Sequence, residues 1–153
     1  MSTKELRQHL HESRLSPNTF HAVLPCDGLD HLYISHLPAY LIINSDTHYG
    51  KGKHWFVIHI TRDLLYELYD PLGCSSLHNR HVITFIKRLH LHELKSTTSA
   101  LLTGKVRHDN HCGYYCLHYI LRKEKKWNTE CILLETFSVS NFSSFVRRII
   151  EKK

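Results

Sequence analysis

The segment His54–Ile60 (HWFVIHI) restricts the possible folds more than any other part of the chain. Its β-branched and aromatic residues predict a strand. A turn at Arg62–Asp63 separates it from Leu64–Tyr69 (LLYELY), which predicts a second strand. Because the connection is short, we expect the two strands to pair as an antiparallel hairpin. The apolar run Ala39–Asn44 (AYLIIN) predicts a further, buried strand before them.

Helical patterns surround these strands. Leu6 and Leu10 share one face of a predicted N-terminal helix, for which Thr3 is the expected cap. Helices are predicted, in chain order, within Ser2–Leu15, Val82–Leu94, Cys112–Lys125 and near the end of Phe137–Lys153, and Ala100–Leu102 fits a short strand. Strands with flanking helices indicate an α+β domain with a mixed or antiparallel sheet. The 153 residues fit one domain spanning residues 1–153.

Composition limits the class of protein. The chain is 42% hydrophobic and 22% charged, which is typical of a globular domain. No segment reaches the roughly 18 apolar residues of a membrane span, and Met1–Leu15 lacks the apolar core of a signal peptide. Five cysteines, an odd number, favour free thiols in an intracellular, reduced compartment. We expect a monomer with no membrane partner.

Three residues have the order and local setting of a thiol hydrolase. His54 opens a strand after a Gly-bearing loop, so its side chain can face a cleft. Asp70 ends the next strand, where its carboxylate can accept a hydrogen bond from the imidazole. Cys112 starts a helix, whose N-terminal N–H groups and dipole stabilise a thiolate. Each residue alone also fits an ordinary role in a core, turn or surface, but the combination predicts a Cys112–His54–Asp70 catalytic triad.

Three motifs in the same order resemble those of the adenovirus-type protease (adenain) family and, more distantly, of the ubiquitin-like-protein proteases. The first is the strand ending at Asn44-Ser45, a Gly-bearing loop and His54-Trp55. The second is Leu68-Tyr69-Asp70-Pro71-Leu72-Gly73. The third is Cys112-Gly113-Tyr114-Tyr115-Cys116. The resemblance covers about half of the chain, Ala39–Ile120.

The resemblance implies a papain-like, adenain-like cysteine protease fold with the nucleophile at the start of a central helix. It implies a cysteine endopeptidase that processes viral or virus-like precursor proteins at Gly-containing sites during virion maturation, in the host nucleus or the virion. Trp55 is similar to the Trp that narrows the family's cleft, although a core aromatic fits equally well. Gly113 would let the substrate backbone approach closely.

Two departures from the family pattern affect catalysis and activation. The family places a Gln before the nucleophile as an oxyanion donor, but the only Gln here is Gln8. Asn110 and the Cys112 N–H are the expected oxyanion donors, with Arg107 or Lys105 as charged substitutes. No cysteine lies between Cys74 and Cys112, so a disulfide-linked peptide activator is not favoured. No cofactor is required, and DNA or a peptide remains a candidate activator, because the formal net charge is +6.

Four alternative functions stay open. The chain can be a protease-fold protein that lacks activity and acts as a binding or structural module, or a deubiquitinase-like isopeptidase acting on ubiquitin-like conjugates. A zinc module would use residues from a His and Cys cluster: His108, His111, Cys112, Cys116 and His118. A DNA-binding domain would use basic residues near two helix ends: Arg122, Lys123, Lys125, Lys126, Arg147, Arg148, Lys152 and Lys153. No role is assigned to Cys26, Cys74 or Cys131.

Overall fold

A computed structural model describes residues 1–52, 54–71, 78–94 and 111–152 of the chain. The strands within these ranges are β1 (Phe20–Pro25), β2 (Ala39–Asn44), β3 (Trp55–Ile60), β4 (Leu65–Tyr69) and β5 (His92–Glu93). The helices are α1 (Thr3–Glu12), α2 (Arg80–Arg88), α3 (Cys112–Glu124), α4 (Thr129–Ser138) and α5 (Phe142–Glu151), and a 3₁₀ helix at Cys26–His31 follows β1.

The strands form one mixed sheet in the order β1-β2-β3-β4-β5. The β1–β2 and β4–β5 pairs are parallel, whereas β2–β3 and β3–β4 are antiparallel. This arrangement confirms the α+β class and the predicted β3–β4 hairpin. The strand predicted at Ala39–Asn44 is confirmed with its exact bounds.

Both faces of the sheet are buried. Ile42 and Val57 belong to a core that the sheet shares with α1, α3, α4 and α5. Leu41 and Phe56, their neighbours along the strands, belong to a second core with α2 and the 3₁₀ helix. Successive side chains of a strand point to opposite faces, so a strand buried on both sides carries a continuous apolar run. This is why AYLIIN and HWFVIHI show no apolar–polar alternation.

The helix α3 lies against the sheet and is the most buried of the described helices. It contacts β3, α1, α4 and α5, and it is buried continuously from Gly113 to Arg122. The predicted helix at Cys112–Lys125 is therefore confirmed to within one residue. Its position places the first turn of α3, and with it Cys112, at the end of the sheet where the central strand β3 begins.

Two polar clusters fasten α3 to its neighbours. Nε2 of the fully buried His118 lies 2.7 Å from a Glu135 carboxylate oxygen, and Arg122 donates two hydrogen bonds of 2.6 Å to the same carboxylate. On the sheet side, the hydroxyl of Tyr119 donates to the buried carboxylate of Glu67. Buried charges stabilise a fold only when their hydrogen bonds are satisfied, as they are in both clusters.

The helix predicted over Val82–Leu94 is wrong at its C-terminal end. The helix α2 ends at Arg88, and His90 has a left-handed backbone with φ 54°. The chain then forms β5, since the His92 N–H donates to the Leu64 carbonyl and the Leu94 N–H to the Tyr66 carbonyl. Backbone pairing with the sheet edge therefore overrides the helical spacing of the apolar residues.

Thr3 is not the cap of the first helix; Ser2 is. The Ser2 hydroxyl accepts the Glu5 N–H at 3.2 Å, and the Glu5 carboxylate accepts the Ser2 N–H at 2.6 Å. This reciprocal capping box satisfies two backbone donors at once. Leu6 and Leu10 are buried on one face, as predicted.

Some elements were missed and some predictions lie outside the described residues. Neither β1 nor α4 was predicted. The C-terminal helix begins only at Phe142, and Phe137 belongs to α4. The short strand predicted at Ala100–Leu102 falls on residues that the structure does not describe.

Over the described ranges, no helix combines the length and apolar character needed to cross a membrane.

Candidate active site

The two residues that flank the β3–β4 hairpin meet at one end of the sheet. His54 directly precedes β3, and Asp70 directly follows β4. The strands are antiparallel with Val57 opposite Tyr69, so the start of β3 lies beside the end of β4. The hairpin therefore brings an imidazole and a carboxylate to the same place across a sequence separation of only 16 residues.

His54 and Asp70 form a buried hydrogen-bonded pair. Nε2 of His54 lies 2.5 Å from Oδ1 of Asp70, and only 7% and 2% of the two residues are exposed. A hydrogen bond shielded from water is electrostatically stronger than an exposed one. An Nε2–H that donates to the carboxylate fixes the orientation of the ring and leaves Nδ1 for a second partner.

The second partner of His54 is Cys112, the first residue of α3. The interaction with the thiol, by hydrogen bonding and charge, raises the pKa of His54, and the imidazole together with the backbone N–H groups of Trp55 and Gly113 lowers the pKa of Cys112. The N-terminal end of a helix adds positive partial charge at the same point. The structure thus joins the three predicted catalytic residues in one chain of contacts, from Asp70 through His54 to Cys112.

The pKa values of the pair favour a charged base and a charged nucleophile. Burial lowers the pKa of His54, but its hydrogen bonds and charge interactions with Asp70 and Cys112 outweigh burial and raise the pKa to about 9. Burial raises the pKa of Cys112, but the hydrogen bonds from His54 and from the Trp55 and Gly113 N–H groups bring it below its ordinary value. Both shifts favour the charged forms, an imidazolium on His54 and a thiolate on Cys112.

Trp55 borders this pair and is held by the N-terminus of α1. Its indole N–H donates to the main-chain carbonyl of Met1 at 3.1 Å, and the residue is 6% exposed. The ring packs in the same core as the apolar residues of α3 and contributes to the groove beside Cys112. Trp55 thus occupies both of the positions that its sequence allowed, core and cleft.

A groove of about 620 Å³ opens next to Cys112. One wall is the beginning of the chain, and the other is the loop between β2 and β3 together with the end of β1. The lining residues are Met1, Ser2, Thr3, Pro25, Asn44, Thr47, His48, Gly50, Lys51, Gly52, Trp55 and Cys112. The groove is large enough for a short extended peptide segment, and the sulfur lies within reach of it.

The loop wall of the groove is fastened at two points. The side chain of His48 pairs with Asp27, and the Asp46 N–H donates to the Asn44 side-chain oxygen at 2.9 Å. Gly52 has φ 84°, a left-handed conformation that favours glycine. A methyl group added there would also lie 2.9 Å from the Asn44 side-chain nitrogen. This loop therefore has a defined shape beside Cys112.

The structure describes only some of the residues predicted to bind the oxyanion. Asn110, Arg107 and Lys105 lie outside the described residues, so their predicted roles stay predictions. The N–H groups in the first turn of a helix have no acceptor within the helix, which suits the Cys112 N–H to an oxyanion. Gln8 lies on α1, and its side-chain nitrogen donates to Glu12 at 2.9 Å.

The residues of the predicted zinc site are not arranged around a common point in the described part of the chain. Among the described residues, no group of three or more His, Cys, Asp and Glu side chains is arranged to hold a metal ion. Of the predicted zinc residues, Cys116 is fully buried, His118 pairs with Glu135, and His108 is not described. Cys26, Cys112, Cys116 and Cys131 are free thiols.

Part of the predicted basic surface is engaged within the protein. Arg122 pairs with Glu135, Lys123 lies 3.4 Å from Glu67, and Arg147 donates to the Tyr114 hydroxyl at 2.8 Å. All three cations belong to the predicted DNA-binding surface. The carboxylates of Glu135 and Glu67 offset the charges of Arg122 and Lys123, whereas Arg147 keeps its charge because its acceptor is a neutral hydroxyl.

Sequence reasoning missed the wall formed by residues 1–3. The capping box of Ser2 and Glu5 was the available signal, because it identifies where α1 begins. It does not reveal that this end of the helix lies beside Cys112.

A comparison with protein-family models finds no match, and a search of curated proteins finds no similar sequence.

Proposed function

We propose that this protein is a cysteine endopeptidase in which Cys112 is the nucleophile, His54 the general acid and base, and Asp70 the orienting carboxylate. The observation that supports this most is the position of His54, held 2.5 Å from Asp70 on one side and hydrogen-bonded to Cys112 on the other. A thiolate–imidazolium pair beside an open groove suits acyl transfer. We propose that the fold is papain-like, of the adenain type.

Acylation begins with attack by the Cys112 thiolate on the scissile carbonyl carbon. The negative charge moves to the carbonyl oxygen, where the Cys112 N–H and Asn110 are the proposed donors. The imidazolium of His54 gives its proton to the leaving nitrogen, and the C–N bond breaks. The products of this step are the free amine and a thioester on Cys112.

Deacylation uses the same groups in reverse. Neutral His54 accepts a proton from a water molecule, and the oxygen attacks the thioester carbonyl. The C–S bond breaks, the acid product leaves, and the thiolate–imidazolium pair is restored. Asp70 keeps its charge throughout and stabilises the imidazolium each time it forms.

The proposed substrates are proteins that present an extended, Gly-containing segment to the groove. Processing of viral or virus-like precursors fits this chemistry, and so does release of a ubiquitin-like modifier from its conjugate. Trp55 would narrow the groove, and Gly113 is proposed to leave space for substrate backbone. DNA or a peptide is a proposed activator, and a reduced intracellular compartment or the virion is the proposed location.

A second candidate function is a binding module that retains the protease fold without activity. The observation behind it is the absence of the expected Gln before Cys112, since Gln8 is the only Gln and is bonded to Glu12. Losing one oxyanion donor costs on the order of 10²–10³ in rate. A slow enzyme and an inactive relative are therefore separated by measurement of turnover.

Alkylation of the cysteines tests the proposal. The purified chain is treated with iodoacetamide from roughly pH 4 to 9, and the modified residues are mapped by mass spectrometry. Cys112 should react fastest and retain its reactivity below pH 7, and the His54→Ala variant should lose that low-pH reactivity. Cys131, which is exposed, is the internal control.

Cleavage assays then separate the candidate functions. A library of Gly-containing peptides and a ubiquitin-like conjugate would be offered to the wild type and to Cys112→Ala. Turnover by the wild type alone supports the protease and identifies the substrate class. If Cys112 titrates like Cys131 and nothing is cleaved, the proposed enzyme is wrong and the binding module is favoured.

A further inference from the structure

Met1 packs directly against the turn of α3 that carries the nucleophile. A methyl group added to Gly113 would lie 2.9 Å from the sulfur of Met1 and 3.3 Å from its Cβ. Leu6 would be its next neighbour, at 3.4 Å. The space next to Gly113 is therefore filled by the side chain of Met1, and a methyl group at position 113 would displace it.

The main chain of Met1 makes a second contact with the site. Its carbonyl accepts the indole N–H of Trp55 at 3.1 Å, and Trp55 is almost entirely buried. A buried indole N–H needs an acceptor, so this bond orients the ring. Trp55 lines the groove together with Cys112, and its backbone N–H lowers the pKa of the Cys112 thiol. Met1 is therefore one hydrogen bond away from a residue that acts on the nucleophile.

Several contacts hold Met1 in this place. The capping box of Ser2 and Glu5 defines the first turn of α1. Leu6 and Leu10 are buried against the sheet and α3, and Arg7 donates to the Val23 carbonyl at 2.9 Å. Since α1 is fastened along its length, its first turn holds a fixed position at the wall of the groove.

We propose that Met1 is a positioning residue for the Cys112 site. Its carbonyl holds the Trp55 ring, and its side chain sets the width of the groove over Gly113. This inference rests on the proposed function, because groove width affects catalysis only if a substrate occupies the groove. It also gives Gly113 a different reason to be glycine from the predicted approach of substrate backbone, because Met1 occupies the space beside it.

Four variants test the proposal: Met1→Gly, Met1→Leu, Gly113→Ala and the double variant Met1→Gly/Gly113→Ala. Each chain would be made behind a cleavable leader, and its intact mass would be checked to show that residue 1 is present. Met1→Leu keeps the apolar bulk and the carbonyl, so it is the matched control for Met1→Gly. Met1→Gly leaves space for the methyl group that Gly113→Ala introduces.

The first measurement is the rate of Cys112 alkylation by iodoacetamide and by a bulky peptide electrophile. Met1→Gly should change the peptide-probe rate by about tenfold and the iodoacetamide rate by much less, since a 1 Å misplacement of a bound substrate can cost up to about 10²-fold. Met1→Leu should match the wild type. Gly113→Ala should slow the peptide probe, and adding Met1→Gly should restore the rate to that of Met1→Gly alone.

The second measurement follows Trp55 without any reaction. Trp127→Phe leaves Trp55 as the only tryptophan, because the chain has two. In that background, Met1→Gly should shift the Trp55 emission to longer wavelength as the ring loosens, and Met1→Leu should not.

The proposal is overturned if Met1→Gly leaves unchanged both the Trp55 emission and the ratio of the peptide-probe rate to the iodoacetamide rate. It is also overturned if Gly113→Ala slows the peptide probe equally with and without Met1→Gly, since Gly113 then acts through the substrate. Failure of the proposed function looks different. In that case Cys112 lacks low-pH reactivity in every chain, while the emission shift still reports on the Met1–Trp55 contact.

Discussion

Replacing Asp70 by asparagine removes the charge beside His54 while preserving the size of the side chain. The carboxylate accepts the Nε2–H of His54 at 2.5 Å in a site from which water is almost excluded. An amide in its place is a weaker acceptor and does not stabilise the imidazolium by charge. The substitution therefore acts on the protonation of His54 and, through it, on Cys112.

The size of the effect follows from the pKa of His54. Its value of about 9, against an ordinary 6.5, corresponds to roughly 3 kcal/mol in favour of the imidazolium at 1.36 kcal/mol for each pKa unit. Asp70 and Cys112 share this contribution, and burial opposes it. The net shift is roughly 300-fold in the protonation equilibrium of His54, and we expect Asp70→Asn to remove between tenfold and about 100-fold of it because Cys112 supplies the rest.

The assay is the rate of Cys112 alkylation as a function of pH. In the wild type, the rate should already be high below pH 7, because Cys112 has a lowered pKa. In Asp70→Asn, the carboxylate no longer opposes the lowering of the His54 pKa by burial, so that pKa should fall. The pKa of Cys112 should rise as the imidazolium beside it is lost. The rate near pH 6 should drop by between tenfold and about 100-fold and recover as the pH approaches the ordinary thiol range.

Asp30→Asn is a matched control. Asp30 also accepts a hydrogen bond from a histidine, His81, at 2.9 Å, but this pair is on the surface and outside the groove. Its alkylation profile should match the wild type. If Asp70→Asn gives the same profile as Asp30→Asn with an unchanged melting temperature, the carboxylate does not hold the imidazolium, and the triad argument fails.

Three further predictions concern stability. Burial lowers the pKa of His118 to about 4 from 6.5, so between these pH values only the unfolded chain gains a proton. The free energy of unfolding should therefore fall as the pH falls from 6.5 to about 4. Urea titrations should show a smaller loss in His118→Gln than in the wild type. Glu67→Ala should lower the free energy of unfolding by about 2–3 kcal/mol, because the buried Tyr119 hydroxyl loses its acceptor. The double variant Tyr119→Phe/Glu67→Ala should lose less free energy of unfolding than the sum of the two single variants. Gly52→Ala should cost about 1–2 kcal/mol in thermal or urea unfolding because of its positive φ, and an unchanged midpoint would contradict the strain.

The parts of this molecule that sequence reasoning found are those specified by local patterns. HWFVIHI and LLYELY are joined by a short turn, so their pairing needs few other contacts, and the meeting of His54 and Asp70 follows from the hairpin. The helix at Cys112–Glu124 was equally recognisable from its apolar residues. These elements contribute all three predicted catalytic residues.

The parts that sequence reasoning missed depend on contacts distant in sequence. The strand β5 exists because the Leu64 and Tyr66 carbonyls at the sheet edge accept N–H groups from a segment with helical spacing. The position of Met1 beside Gly113 depends on how α1 packs across α3 and the sheet. Neither contact leaves a mark in the local pattern of residues.

The three proposed catalytic residues belong to parts of the chain that differ in how readily they assemble. His54 and Asp70 are 16 residues apart and need only the hairpin, whereas Cys112 reaches them after its helix has docked on β3. Contacts of low sequence separation form faster than distant ones, so the base and its carboxylate are expected to meet first during folding. A partly folded chain would then hold a complete base with no activated sulfur beside it. The proposed nucleophile should therefore become activated only with the finished fold, which would keep a newly made chain from modifying itself or its neighbours.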